Sequence, residues 1–384
     1  RREVLLRWEA APEVFLDEGE VPAVGTIIRQ PDLAATLARI AEQGKAGFYA
    51  GETAQKLVSG VREAGGIWTL EDLDAYEVVE REPIRAEYRG YEIIGAPPPS
   101  SGGVALAQML NILEPYDIQQ REPVERVHLT VEAMRRAYRD RALYLGDTDY
   151  VDVPIEMLTS KHYAAGLRAS IRSDRATPSD LLGEFKDVPK GADTTHFSIV
   201  DSDGNRVAAT LSVNLPYGSG FMAPGTGVLL NNEMDDFSAK PGVPNAYGLI
   251  GYEANAIEPG KRMLSSMSPT FVEGDDRVAV LGTPGGSRIS TMVRLGILDF
   301  VDGNGPESWV ELHRYHHQYE PDEISAEPGT FTESQMQTLR DMGHTLKVRD
   351  RTWGNMHGVM WDRAGGRVSA ASDPRWESGR AVVK

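Results

Sequence analysis

The chain has 384 residues, 41% of them apolar, enough for two or three domains or one large one with a real core. Asp and Glu outnumber Lys and Arg by 57 to 40, and the net charge of −17 argues against sequence-independent binding of nucleic acid or of an anionic membrane surface. Cysteine is absent, which removes disulfides, thiolate metal sites and cysteine nucleophiles together.

No run of about 18 apolar residues suggests a membrane-crossing helix. The opening Arg1-Arg2-Glu3-Val4 has no apolar signal region, so either there is no export signal or the sequence does not begin where the gene does. The first half then reads mostly helical. Pro31 followed by Leu33, Leu37, Ile40 and Ala41, with Gly44 beyond, predicts one helix; Ala54, Leu57, Val58 and Val61 before Gly65-Gly66 predict a second. Residues 86–95 predict a short strand, and Pro97-Pro98-Pro99 an extended stretch. Ser100 or Ser101 can cap a helix carrying Leu106, Leu110 and Leu113. A longer helix is predicted over about 124–144, with Val127, Val131, Met134 and Tyr138 on one face. Residues 170–193 are polar and aperiodic, either a surface linker or an exposed segment beside a processing site.

At Thr194 the pattern turns to β. Residues 196–200 and 206–213 alternate as two half-buried strands around a Ser202-Asp203-Gly204-Asn205 turn. Further strands are read at 227–230, 270–273 and 278–281, and a helix near 290–302. Helices followed by mixed β and α elements predict a layered α+β protein.

Four segments are dense in small, polar and glycine residues: Thr194-Thr195-His196, Asn231-Asn232-Glu233-Met234-Asp235-Asp236, Ser265-Ser266-Met267-Ser268 and Gly282-Thr283-Pro284-Gly285-Gly286-Ser287-Arg288. Each alone has an ordinary reading as a strand start, a turn, a cap or a loop. In this order, with Met222-Ala223-Pro224-Gly225-Thr226-Gly227, Ala371-Ser372-Asp373-Pro374-Arg375 and the upstream Tyr88-Arg89-Gly90-Tyr91 and Tyr144-Leu145-Gly146-Asp147, the chain resembles the γ-glutamyltranspeptidases.

That resemblance implies a four-layer αββα sandwich of the N-terminal-nucleophile hydrolase type, and a zymogen that cleaves itself between Asp193 and Thr194. Thr194 matches the nucleophile, whose freed α-amino group is the general base. Ser212 matches a hydroxyl that bonds this amino group, and Asn214 a supporting amide. Glu233 and Asp236 match positions that bind the donor's α-amino group, Ser265 and Ser266 the pair that holds its α-carboxylate, and Gly285 and Gly286 the backbone donors of an oxyanion hole. His196 is then a strand residue behind the nucleophile, and Arg288 a structural salt-bridge partner. Residues 237–258 match a lid loop.

The implied activity is hydrolysis or transfer of γ-glutamyl groups from glutathione or a related donor to water, an amino acid or a peptide, without a cofactor or metal. The implied partners are those small molecules and, after cleavage, residues 1–193 and 194–384 as large and small subunits that form one domain; no nucleic acid or membrane is implied. A periplasmic or extracellular setting follows by the same analogy. The match implies that the N-terminal part of the large subunit is lacking, with an arginine that grips the donor carboxylate; Arg81, Arg85 and Arg89 are candidates for that role by charge alone. Two rival readings are a cephalosporin acylase-like amidase and a non-catalytic truncated homologue.

Overall fold

The computed structural model describes residues 1–182, 194–376 and 379–384, and these fall into two compact units. The first unit joins residues 1–81 to 213–233. It holds α1 (Arg2–Leu5), α2 (Ala10–Phe15), α3 (Pro31–Gln43), α4 (Ala46–Tyr49), α5 (Gly51–Glu63) and α6 (Leu70–Asp74). Pro31 starts α3 because a first-turn residue needs no N–H donor, and Gly44 ends it at φ 59°. Thr69 and Asp72 close a capping box on α6. Ala54, Leu57 and Leu73 pack on Ala223, and Leu5 and Ala11 on Met222. The strand expected at 227–230 is not one: Met222 and Leu229 form only an isolated bridge, and Gly225 and Gly227, both at positive φ, turn the chain too tightly for a ladder.

The second unit, residues 82–212 and 234–384, carries the main sheet. Its strands are β1 (Ile84–Tyr88), β2 (Tyr91–Gly95), β3 (Thr194–Val200), β4 (Arg206–Ser212), β5 (Thr270–Glu273), β6 (Arg277–Gly282), β7 (Tyr315–His316), β8 (Ile324–Ala326), β9 (Leu346–Val348), β10 (His357–Asp362) and β11 (Arg367–Ser372). Its helices are α7 (Gly102–Leu113), α8 (Pro123–Tyr144), α9 (Ile155–Thr159), α10 (Lys161–Arg168), α11 (Ile289–Val301), α12 (Pro306–Glu311) and α13 (Glu333–Asp341). A six-stranded antiparallel sheet runs β1-β2-β5-β6-β10-β11, β3 pairs with β4, and β7-β8-β9 form a small third sheet. The single strand expected at 86–95 is a hairpin, because Arg89 and Gly90 both adopt positive φ and reverse the chain.

Leu281 and Gly282 are neighbours on β6 and so face opposite sides of the sheet. Leu281 lies against Gly296 of α11, whereas a Cβ on Gly282 would run into the His196 ring of β3. The β3–β4 hairpin therefore stacks on the face opposite α11, giving the helix–sheet–sheet part of an αββα stack. The core between helices and sheet includes Leu106, Leu110, Val131, Met134, Leu281, Val293 and Ile297, all at 2% exposure or less.

The supposed linker runs largely exposed over residues 170–182 but is pinned to the interior at single points. Ser179 is fully buried, donates to the Tyr319 carbonyl at 2.6 Å and accepts from Arg135 at the same distance, and Glu132 takes the Thr177 N–H at 2.9 Å. A polar stretch without periodicity can thus be fixed by buried charges rather than by apolar packing. Residues 183–193, with Asp193 and the expected scissile bond, lie outside the described residues.

Candidate active site

Thr194 is the first residue of β3 and pairs with Ser212, the last of β4. Their hydroxyl oxygens are 3.3 Å apart. Two contacts fix the hairpin's direction over the sheet. Gly204, in its turn, lies against Trp361, which pairs with Val278 near the start of β6, and His196 lies against Gly282 at the end of β6. Thr194 and Ser212 therefore sit at the end of β6 from which the Gly285-Gly286 turn departs.

His196 is held rather than poised. One ring nitrogen is 2.8 Å from Thr210 Oγ1 and the other 3.0 Å from Ser198 Oγ. Burial, with His357 nearby, pushes its pKa down to about 3, so it is a neutral packing group behind the strand.

The glycine turn is sterically specific. Gly285 has φ 150° and Gly286 φ 56°, and a Cβ on Gly286 would run into the Tyr247 ring. Tyr138 donates to the Ser287 carbonyl and fixes the turn from α8. Burial lifts that phenol to about 12, keeping it a neutral donor. Tyr247 belongs to the 237–258 loop, and Gln318 holds this loop through the carbonyls of Tyr247 and Gly248, at 3.2 and 2.9 Å.

Ser265 and Ser266 precede β5, whose Thr270 pairs with Leu281 of β6. They thus enter the sheet at the same end. Asp236 is brought to them by an asparagine that the sequence did not single out. Asn255 donates to the Asp236 carbonyl at 2.7 Å and accepts the Leu264 N–H at 3.0 Å, stitching the two segments together. Asn245 donates to the Asp236 carboxylate at 2.9 Å. The second unit therefore gathers Thr194, Ser212, the glycine pair, Asp236 and both serines at one end of its stacked sheets.

Asn214 and Glu233 belong to the first unit. Asn214 is buried at φ 69° and donates to the Asn232 carbonyl at 3.0 Å; the Glu233 N–H donates to Asn231 Oδ1 at 2.9 Å. The salt bridge expected of Arg288 is replaced by stacking, its guanidinium 4.7 Å from the Trp353 ring centroid. Arg85 and Arg89 are spent on ion pairs with Glu92 and Asp117, both at 2.9 Å. Ser101 does not cap α7. It lies instead in the serine site, donating to the Ser265 carbonyl at 2.9 Å, and Ser100 takes the Gly102 N–H at 3.1 Å. Among the described residues no cluster of His, Asp or Glu could hold a metal ion.

Arranged this way, the site sets the Thr194 and Ser212 hydroxyls, a buried glycine turn, the Asp236 carboxylate and a pair of serine hydroxyls at one end of the sheets, groups of the kind that can hold a zwitterion beside an acyl carbon. The sequence profile of the γ-glutamyltranspeptidase family matches residues 1–383. The chain is 43% identical over 378 residues to the glutathione hydrolase proenzyme of Escherichia coli K12, covering 97% of this chain and 65% of that protein. It is 46% identical over 334 residues to the glutathione hydrolase proenzyme of Pseudomonas sp. A14, covering 86% and 58%. The chain thus spans less than two thirds of either relative's length. A crystal structure of cephalosporin acylase from Bacillus halodurans superposes with a TM-score of 0.82 at 28% identity, covering 98% of this chain and 69% of that one. The fold is accordingly α+β of the N-terminal-nucleophile hydrolase type, and the chain belongs to the γ-glutamyltranspeptidase family.

Proposed function

We propose that this chain carries the catalytic site of a γ-glutamyl hydrolase and transferase whose nucleophile is Thr194, freed by cleavage after Asp193. The observation that carries the reading is the convergence of Thr194 and Ser212, 3.3 Å apart, with the Gly285-Gly286 turn and the Ser265-Ser266 pair at one end of the stacked sheets. The names of the relatives, glutathione hydrolase proenzymes, support both the substrate class and the processing.

In this reading the Thr194 hydroxyl first attacks the Asp193 carbonyl, the C–N bond breaks as the ester forms and frees the Thr194 α-amino group, and water then hydrolyses the ester to the Asp193 carboxylate and the Thr194 hydroxyl. That amine takes the hydroxyl proton as Oγ1 attacks the γ-carbonyl of the donor. The carbonyl electron pair moves onto oxygen, where the Gly285 and Gly286 N–H groups stabilise it. Collapse breaks the C–N bond, and the leaving amine takes the proton. The γ-glutamyl ester on Thr194 is then attacked by water or by an acceptor amine, which restores the hydroxyl. Ser212 orients the Thr194 amino group, Asp236 and Glu233 bind the donor ammonium, and Asn214 supports the site. Residues 1–193 and 194–384 remain associated as large and small subunits.

An acylase of the cephalosporin type is the second reading, favoured by the Bacillus halodurans match. The carboxylate of Asp236, held at 2.9 Å by Asn245, favours an amino acid acyl group over it.

A denaturing gel with N-terminal sequencing tests the proposal. Pieces near half the mass of the chain are expected, one of them beginning at Thr194, together with release of p-nitroaniline from γ-glutamyl-p-nitroanilide. Cleavage persisting in Thr194→Ala would overturn it.

A further inference from the structure

Arg141 lies in the last turn of α8 and is 4% exposed. Two buried arginines elsewhere in this unit have carboxylate partners, Arg136 lying 2.6 Å from Glu132 and Arg314 pairing with Asp373, whereas Arg294 lies over the Tyr315 ring, 5.6 Å from its centroid. Arg141 has none within ion-pair distance among the described residues. Its Nε donates to Ser101 Oγ at 3.1 Å and its Nη2 to Ser266 Oγ at 3.2 Å. Burying a cation against neutral hydroxyls is costly unless an anion completes the site.

The direction of these bonds matters. A guanidinium only donates, so both serine oxygens must accept from it. Ser101 passes its own proton to the Ser265 carbonyl at 2.9 Å. Ser265 Oγ accepts the Met267 N–H at 3.0 Å. The hydroxyl protons of Ser265 and Ser266 have no acceptor among the described residues. Two hydroxyl donors are thus presented side by side, one polarised by a buried cation. Burial lowers the Arg141 pKa, while Tyr138 and the Asp236 carboxylate act to raise it, so the same cation senses the opposite pole of the site.

We infer that Arg141 is a specificity-determining positioning residue, which turns the Ser266 hydroxyl outward as a donor and places positive charge behind it, so that the serine pair selects an acyl donor bearing an α-carboxylate. This deepens the proposed γ-glutamyl reading and rests on it for the substrate class. Arg141 need not touch the substrate; it acts through Ser266, and Ser101 holds it in register with the Ser265 backbone.

The test compares ligands that differ only in the carboxylate. Binding of L-glutamate and of 4-aminobutyrate is measured by calorimetry on the wild type, Arg141→Gln and Arg141→Lys. Turnover of γ-glutamyl-p-nitroanilide is measured beside that of its 4-aminobutanoyl analogue. Arg141→Gln should weaken glutamate by about 10- to 100-fold, seen in KM rather than kcat for the anilide, and leave the 4-aminobutanoyl ligands within about twofold. Arg141→Lys keeps the charge but not the fork that spans both serines, so about three- to tenfold is expected, and it serves as the test if the Gln variant does not fold.

An equal fall for both ligand classes would make Arg141 merely structural and overturn the inference. So would a glutamate preference unchanged in the variants, or a wild type that does not distinguish the two ligands. Glutamate bound through Arg141 with neither anilide turned over would instead overturn the reaction while upholding the inference.

Discussion

Two buried arginine sites in the second unit differ in how their charge is compensated. Around Arg314 the balance is complete. Arg314 pairs with Asp373, and Arg375 reaches Glu327 at 2.8 Å and Asp373 at 3.2 Å. Both carboxylates are fully buried and also accept backbone donors, Trp353 N–H on Glu327 at 2.8 Å and Met356 N–H on Asp373 at 2.9 Å. Around Arg141 only hydroxyls are found. The closed network joins the β10–β11 region to α12 and asks for nothing more; the open one has charge to spare for a ligand. Stability should depend on the first and substrate selection on the second.

The largest effect separates chemistry from fold. Thr194→Ala should lower γ-glutamyl anilide turnover by about three orders of magnitude or more and abolish cleavage. Its unfolding free energy should stay within about 1 kcal/mol of the wild type, since only a hydroxyl and a methyl are lost at a half-buried strand end. Measured together, activity and urea denaturation would break the comparison if both collapsed.

Glu327→Gln should do the opposite. It leaves Arg375 and the neighbouring arginine under-compensated in the interior, at a cost of about 3–5 kcal/mol in unfolding free energy. Arg141→Gln, which strands no carboxylate, should cost less than half of that. Denaturation curves for the two variants, run side by side, check the ordering; equal losses would erase the distinction between the two sites.

Asp236→Ala sharpens the picture from the ammonium side. It should weaken glutamyl donors by about one to two orders of magnitude while slowing acylation by a small activated ester without an α-amino group far less. Equal loss for both would point to a structural role, transmitted through Asn245 and Asn255.

A further effect is a pH dependence of stability. Burial depresses His196 and His316 to about 3 in the folded protein, against about 6.5 unfolded. Below about pH 6.5 the unfolded chain takes up the protons that the folded chain refuses. The stabilisation is therefore complete above that pH and falls as pH drops toward 3, by at most about 1.4 kcal/mol per pH unit for each group. Melting temperatures at pH 7 and pH 5 test this, and a flat profile would show that these imidazoles are not held neutral.

Elements with a single clear period were legible in the sequence. Thr270–Glu273 is a strand as expected, α3 starts at Pro31 and stops before Gly44, and α8 spans Pro123–Tyr144 over the expected 124–144. What α8 conceals is its polar face. Periodicity marks Val127, Val131, Met134 and Tyr138, yet His128, Glu132, Arg135, Arg136, Asp140 and Arg141 are buried too. A charge buried against serines from distant segments has no local signature, so Arg141 could not be read from spacing. The same holds for Asn255, whose partners Asp236 and Leu264 lie on either side of it in aperiodic sequence, and for the hairpin at 84–95, where Arg89-Gly90 carried the turn inside an apparent strand. The strands of β10 and β11 escaped because their alternation is masked by small residues such as Gly358, Ala370 and Ala371.

The account rests on Thr194 as an N-terminal nucleophile, and one measurement addresses that directly. The protein is mixed with γ-glutamyl-p-nitroanilide, quenched in acid within a single turnover, and its chains and peptides are weighed by mass spectrometry. The account predicts two chains, one of them starting at Thr194 and heavier by one γ-glutamyl group located on that residue. A single uncleaved chain that still turns over, or the acyl group on any other side chain, would contradict it.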